Sequence, residues 1–313
     1  MMDKKNLLII GGSYFTGRVV VEELIKENEY NVFVYNRGNL PLKKKGVKEL
    51  LGDRNDINRI KEVIPDIEWH ALIDFCAYTP EDIEKMIISL PGTFRQYIFI
   101  STATVYEESV NLPVKEDAPK LTKPQPQLGE YADYGFNKWR AECKLREMCA
   151  TRKAVHTVLR PAIIYGKYNY APRESYFFDL IRDNQPIVIP DKPIALFSFA
   201  WVTDVARLVV KCIGNEKVFN REFNIAAEDL VSYERFIQVL ESVTEKRLTP
   251  MTMSVDEINN RKIPLPFPLD EHLIYSGLEL NQTLAYKHIP FEDGMRRTYA
   301  YYQWLQKRRR SHL

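Results

Sequence analysis

The sequence predicts an α/β fold: a doubly wound parallel sheet with a dinucleotide-binding turn near its start and a smaller C-terminal α/β lobe. Three observations predict it. The apolar run Leu7-Leu8-Ile9-Ile10 breaks into Gly11-Gly12-Ser13-Tyr14-Phe15-Thr16-Gly17, and a helical period with Val19, Val20, Leu24 and Ile25 on one side follows at once. Strand-like and helix-like segments then alternate, the signature of parallel strands joined by right-handed crossovers. After about Tyr165 the pattern changes, with prolines at Pro186, Pro190, Pro193, Pro250, Pro264, Pro266 and Pro268.

The first strand, its glycine turn and the helix N-terminus form a unit in which bare backbone N–H groups and the positive end of a helix dipole face an anion. Gly11 suits the turn, and Gly17 lets the helix pack close to the strand. Tyr14 replaces the glycine that would let backbone approach a pyrophosphate in the middle of such a turn. A second strand spans 31–35 and ends at Asn36-Arg37-Gly38. A third spans 47–51 and ends at Gly52-Asp53-Arg54. A helix covers 56–64 and a fourth strand 71–75. Pro80 opens a helix to Leu90, proline being favoured in a first helical turn. A fifth strand, 97–100, enters Ser101-Thr102. Residues 134–150 read as a long helix and 155–159 as a sixth strand. Leu112 to Leu128, rich in Pro and Gln, sits where a lid could sit.

We assign residues 1–165 to the dinucleotide-binding domain, with returning segments near 198–213 and 220–226, and 166–313 mainly to a substrate-binding lobe. The final helix, near 291–307, is also expected to return to the first domain. At 313 residues, with 45% hydrophobic residues and a formal charge of +2, the chain can build a large core. Its charge balance gives nucleic acid no electrostatic footprint. Four cysteines without a Cys-x-x-Cys pair and five scattered histidines predict a reducing cytoplasm and no metal site. His70, His156 and His288 show no ligand spacing, and Lys307-Arg308-Arg309-Arg310 suits the end of a last helix. No signal peptide and no apolar run long enough for a membrane span is expected.

The chemistry centres on Tyr134-Gly135-Phe136-Asn137-Lys138, the sole Tyr-x-x-x-Lys of the chain. This spacing puts both side chains on one helix face. A lysine ammonium beside a phenol is expected to lower the phenol's pKa and make Tyr134 usable as a general acid/base. Thr102, at the preceding strand end, supplies a hydroxyl for the same substrate oxygen.

These motifs in this order resemble the extended short-chain dehydrogenases/reductases, the NAD(P)-dependent sugar-nucleotide epimerase/dehydratase family, with a Rossmann-type sheet. Tyr14 is similar to a subgroup with a bulky residue in place of the middle glycine. The resemblance implies catalytic Thr102, Tyr134 and Lys138, with Lys138 also holding the nicotinamide ribose. It implies cofactor contacts from Gly11, Ser13, Tyr14, Phe15, Thr16, Gly17, Asn36, Arg37, Asp53, Arg54, Phe75, Cys76, Ala77, Pro161 and Ile163, with Asp53 and Arg54 near the adenine. Val202-Thr203-Asp204-Val205-Ala206 and Glu292-Asp293-Gly294-Met295-Arg296 are similar to its C-terminal signatures.

Departures from the family pattern bear on substrate. Ala103-Thr104 stands where a dehydratase carries Asp-Glu. Ile163 and Phe197 stand where an epimerase of nucleotide sugars offers an Asn and an Arg. Arg173, Arg182, Arg207 and Arg296 are the candidates to replace those diphosphate contacts. The implied activity is hydride transfer at a C–OH of a sugar or sugar-nucleotide-like substrate. The alternatives are an NADPH-dependent reductase or dehydrogenase of a non-nucleotide small molecule and, in another class, a dinucleotide-responsive RNA-binding or regulatory protein. NAD and NADP both stay open. Asn36-Arg37 removes the carboxylate that selects NAD and adds a guanidinium for a 2′-phosphate, so NADP is favoured, with Lys43-Lys44-Lys45 adding positive potential. A homodimer through the Tyr134 helix is permitted by the apolar side of Trp139, Cys143, Leu145 and Met148, and an ordinary buried core face reads the same way.

Overall fold

The computed structural model describes residues 4–192 and 194–310; Met1 to Asp3, Pro193, residues 311–313 and the side chain of Arg310 lie outside the described set. In chain order the elements are β1 (Lys5–Ile10), α1 (Phe15–Glu27), β2 (Tyr30–Asn36), β3 (Val47–Leu51), α2 (Ile57–Val63), β4 (Glu68–Asp74), α3 (Pro80–Ser89), β5 (Thr93–Ile100), α4 (Tyr134–Arg152), β6 (Val155–Pro161) and β7 (Ile163–Tyr165). There follow α5 (Glu174–Arg182), β8 (Val188–Pro190), β9 (Phe197–Trp201), α6 (Val202–Cys212), β10 (Arg221–Ile225), β11 (Leu230–Val231), α7 (Tyr233–Thr244), β12 (Met251–Met253), α8 (Val255–Asn260), α9 (Leu278–Thr283) and α10 (Phe291–Arg310).

Seven strands form one sheet in the order β10-β6-β5-β4-β1-β2-β3, every pair parallel. The unbroken apolar runs follow from burial on both faces. Leu7 and Ile9 pack with Val19 and Val20 of α1 and with Val205 and Val209 of α6. Leu8 and Ile10, one residue out of phase, pack with Ile60, Ile83, Met86 and Leu145 from α2, α3 and α4. β4 and β5 start earlier than the apolar runs suggest, because Glu68 already pairs with Thr93 at the polar margin of the sheet.

The returning segments are seen: α6 packs on α1 and β10 pairs with β6. The final helix departs from expectation. α10 lies on α7, α5 and β9, because Phe291, Met295, Tyr299 and Tyr302 repeat on one of its faces and match the aromatic surface of the second lobe. That lobe holds two small sheets, β11-β9-β7 and β12-β8.

Two further expectations are corrected. The 112–128 segment is pinned rather than free as a lid: Val114 exchanges backbone hydrogen bonds with Ile274 and Ser276, and Glu116 accepts from the Asn224 N–H at 2.9 Å. Trp139, Cys143, Leu145 and Met148 do not form one open apolar face. Leu145 and Met148 belong to the core under the sheet, Trp139 packs with Val105, Tyr106 and Val114, and Cys143 is exposed.

Candidate active site

β1 and β4 are neighbours whose onward connections diverge, so a crevice opens at their carboxyl ends. Gly11 lines it with φ +84°, and a Cβ there would lie 2.0 Å from the Cys76 sulfur. A Cβ on Gly17 would lie 2.5 Å from the Gly11 carbonyl oxygen. Both glycines are therefore steric requirements of the turn, and the sulfur of Cys76 occupies the space that Gly11 vacates. Burial pushes the Cys76 thiol up to about 11, so it is a filler rather than a thiolate. Ser13 is half-buried and Thr16 buried, while Tyr14 turns its ring outward. That ring stacks on Tyr170 at 5.3 Å, and Phe15, held at φ 38°, meets the same ring edge-on at 5.8 Å.

At the end of β2, Asn36 is buried. Its Oδ1 accepts from the Gly38 N–H at 2.7 Å, while its Nδ2 is buried with no partner. A buried donor left unpaired is costly, and this one points to a ligand acceptor. Arg37 is exposed beside it. Asp53, also exposed, accepts from the Asn55 N–H at 2.8 Å. A glycine turn closed to side chains, opening a helix and flanked by an orphaned amide, fits a dinucleotide.

Arg54 is a correction. Its Nη1 and Nη2 bond Asp74 at 3.0 and 3.2 Å, and Nη2 also donates to the Asp82 carbonyl at 2.8 Å. Its guanidinium is committed to a buried ion pair, so the structure gives it another partner than the adenine that the resemblance implies. Asp74, which the sequence reading passed over, further accepts from Tyr97 Oη at 2.6 Å and from the N–H groups of Cys76 and Ala77 at 2.7 and 3.0 Å. The available signal was an aspartate ending an otherwise apolar strand. It shapes the Phe75-Cys76-Ala77 turn on the cofactor side of the crevice. Pro161 ends β6, and Ile163 begins β7, half-buried.

Thr102, Tyr134 and Lys138 come together. Gly135 makes this possible: a Cβ there would lie 2.3 Å from the Thr104 carbonyl oxygen, so α4 can press its first turn against the end of β5. Thr102 Oγ1 lies 2.6 Å from Thr104 Oγ1 and faces the Tyr134 phenol closely enough to favour its ionised form. Lys138, 2% exposed, donates to the carbonyls of Ala77 and Ile100 at 2.9 and 2.7 Å and sits 4.2 Å over the Phe99 ring. Burial lowers its pKa to about 8.

The expected effect of Lys138 on Tyr134 is not what the structure shows. Burial raises the phenol's pKa; Thr102 and the charge of Arg173 oppose that rise, and Tyr170 adds to it. The lysine ammonium is turned toward two carbonyls. A second buried ion pair braces α4. Glu142 accepts from Arg160 at 2.7 Å and from Ser101 at 2.5 Å, tying the helix to β5 and β6.

Phe197 is 1% exposed, packed against Phe199, Tyr233 and Phe267. His156 lies 3.6 Å from Glu222 and His288 3.5 Å from Asp204, as single pairs. Among the described residues no group of His, Cys, Asp or Glu could hold a metal, and no helix is long and apolar enough to cross a membrane.

A Rossmann sheet with a glycine turn over β1 and Thr102, Tyr134 and Lys138 at the β5–α4 junction is the arrangement that the resemblance to extended short-chain dehydrogenases/reductases implies. Residues 83–226, which include that cluster, match the model of the NAD dependent epimerase/dehydratase family. The chain is 28% identical to the chloroplast stem-loop binding protein of 41 kDa b of Arabidopsis thaliana, over 74% of this chain and 61% of that protein's length. It superposes on UDP-glucose 4-epimerase of Thermotoga maritima with TM-score 0.76 and 19% identity, covering 96% of this chain and 99% of that one. For UDP-glucuronic acid 4-epimerase of Bacillus cereus, solved with UDP-glucuronic acid and NAD, the TM-score is 0.74 and the identity 16%, over 96% and 99% of the chains. These structures share the fold.

Proposed function

We propose that this chain is an NAD(P)-dependent enzyme that acts by hydride transfer at a C–OH of a sugar or sugar-nucleotide-like substrate. The placement of Thr102 against the Tyr134 phenol, next to a buried Lys138, supports this reading. The dinucleotide, when bound, supplies a reversible hydride acceptor. Tyr134, as the phenolate, would take the proton from the substrate hydroxyl at its Oη and, as the phenol so formed, would return it to the ketone oxygen. Thr102 Oγ1 fixes the direction of that oxygen. Lys138 would supply positive charge beside the ribose, and α1 would offer its N–H groups to the pyrophosphate through Gly11 to Gly17.

Arg37 favours NADP, since it is exposed and forms no ion pair among the described residues. An Arg37→Ala variant should lose affinity for NADP more than for NAD; equal affinity for NADP before and after would remove this preference. Residues 1–165 would form the dinucleotide-binding domain. Phe197 in its aromatic cluster favours a second reading, a reductase of a non-nucleotide molecule. The plant relative's stem-loop binding raises a third, which an RNA mobility-shift assay separates from catalysis.

The test is mass spectrometry of the nucleotide released when freshly purified protein is denatured. Stoichiometric NAD or NADP supports a redox-neutral epimerase-like cycle in which the cofactor stays in place. No retained nucleotide, with binding on add-back, supports an exchanging reductase. No binding at all overturns the enzyme reading.

A further inference from the structure

Four arginines were candidates to meet an anionic substrate, and the structure separates them. Arg182 is paired with Asp179 and Asp183, Arg207 with Glu23 and Arg296 with Glu292. Arg173 has no carboxylate within ion-pair distance among the described residues, and its recorded side-chain bond is from Nη1 to the Ile164 carbonyl at 2.8 Å. The neighbouring Glu174 is turned inward, accepting from the Gly166 N–H and Asn169 Nδ2 at 2.9 and 3.1 Å. Burial raises its pKa, so it is a weak counter-charge.

Arg173 also sits in the right place. It ends the 166–173 loop, whose Lys167 and Tyr168 are bonded to Glu22 of α1 at 2.6 and 2.9 Å and whose Tyr170 lies on Tyr14. The loop therefore crosses the mouth of the crevice. The Arg173 charge is felt at the Tyr134 phenol. Nothing in the fold rewards a cation here, because Arg173 immediately precedes α5, at the positive end of that helix's dipole.

We infer that Arg173 is the anion anchor of the substrate cleft, holding the carboxylate or phosphate of a small acid whose hydroxyl is presented to Tyr134. A guanidinium suits either group through paired N–H donors. This deepens the hydride-transfer reading and rests on it for the role of Tyr134. It also supplies a cation where Phe197 and Ile163 stand at the positions for which the resemblance implies a nucleotide's polar contacts.

Isothermal titration calorimetry of the full chain with glycolate, inorganic phosphate and ethylene glycol tests it, beside a separate NADP titration. Wild type is expected to bind glycolate or phosphate but not ethylene glycol. The stronger anion tells a carboxylate subsite from a phosphate one. Arg173→Leu should weaken that binding at least tenfold, Arg173→Lys should restore part of it, and Arg182→Gln should leave it unchanged. NADP affinity should be the same in all four proteins. Unchanged anion binding in Arg173→Leu, or none in wild type, overturns the assignment. Failure of NADP to bind, with Arg173-dependent anion binding intact, overturns the hydride-transfer reading instead.

Discussion

Arg54 and Asp74 form a two-pronged buried ion pair, with Nη1–Oδ1 and Nη2–Oδ2 distances of 3.0 and 3.2 Å. Its effect reaches the candidate catalytic residues. Asp74 also holds the N–H groups of Cys76 and Ala77, and the Ala77 carbonyl in turn accepts from Lys138. An ion pair at the end of β4 thus fixes the turn on which the lysine rests.

Removing one partner should be severe, because it leaves a buried charge unpaired. Asp74→Ala is expected to cost about 3–5 kcal/mol of folding stability, measured as the shift in urea-unfolding free energy. A loss under 1 kcal/mol would show that Arg54 reaches solvent when released.

The same pair sets an acid limit. Burial pushes the Asp74 carboxyl up, but Arg54 and the bonds from Tyr97 and Cys76 hold it below the ordinary aspartate value. A depressed folded-state pKa adds stability above the unfolded value, and that stability is lost as pH falls through the folded one. Unfolding free energy should therefore fall below about pH 4, near the unfolded aspartate value, and fall less in Asp74→Asn. Equal acid slopes in the two proteins would refute the link.

Lys138 gives the opposite limb. Burial lowers its pKa to about 8 from 10.5, so the folded protein releases this proton before the unfolded chain does. Its contribution to stability should rise with pH from about 8 to 10.5. Dinucleotide affinity should fall over the same rise, as the charge beside the ribose is lost. Lys138→Arg should flatten the affinity profile; an unaltered profile would place the titrating group elsewhere.

The sheet was legible because its strands carry short apolar runs, unbroken in Leu7 through Ile10, alternating with helices that carry an apolar stripe. The cluster of Thr102, Tyr134 and Lys138 was legible from spacing and position. What escaped was set by partners distant in sequence. Arg54 looks like an adenine contact until Asp74 and Asp82 fold against it, and the phenol's pKa depends on burial and on where Nζ of Lys138 points. The final helix was misplaced because Phe291, Met295, Tyr299 and Tyr302 fit either lobe by periodicity, and only the aromatic surface of α5 and α7 decides between them.

Tyr134→Phe removes the proton-transfer group and keeps the ring's packing against Tyr78, whose centroid is 6.4 Å away. Turnover should fall about 10²–10⁴-fold, the usual scale of general acid–base assistance, with dinucleotide affinity little changed. Retained turnover would move the acid/base role to another group, and Tyr78, whose ring packs beside that of Tyr134, is the phenol to examine.

The stack of Tyr14 on Tyr170 joins the glycine turn to the loop over the crevice, so a bound dinucleotide should leave more slowly while it holds. Aromatic pairs contribute about 0.5–1.5 kcal/mol beyond buried area, which corresponds to roughly a 2- to 10-fold change in release rate. Tyr170→Ala and Tyr14→Ala should each speed dinucleotide release by that factor, followed by stopped-flow fluorescence of the reduced cofactor. Each residue acts through the other, so the double variant should be little faster than either single one. Fully multiplicative effects would mean that the two rings touch the dinucleotide separately, and that the loop does not act as a closure.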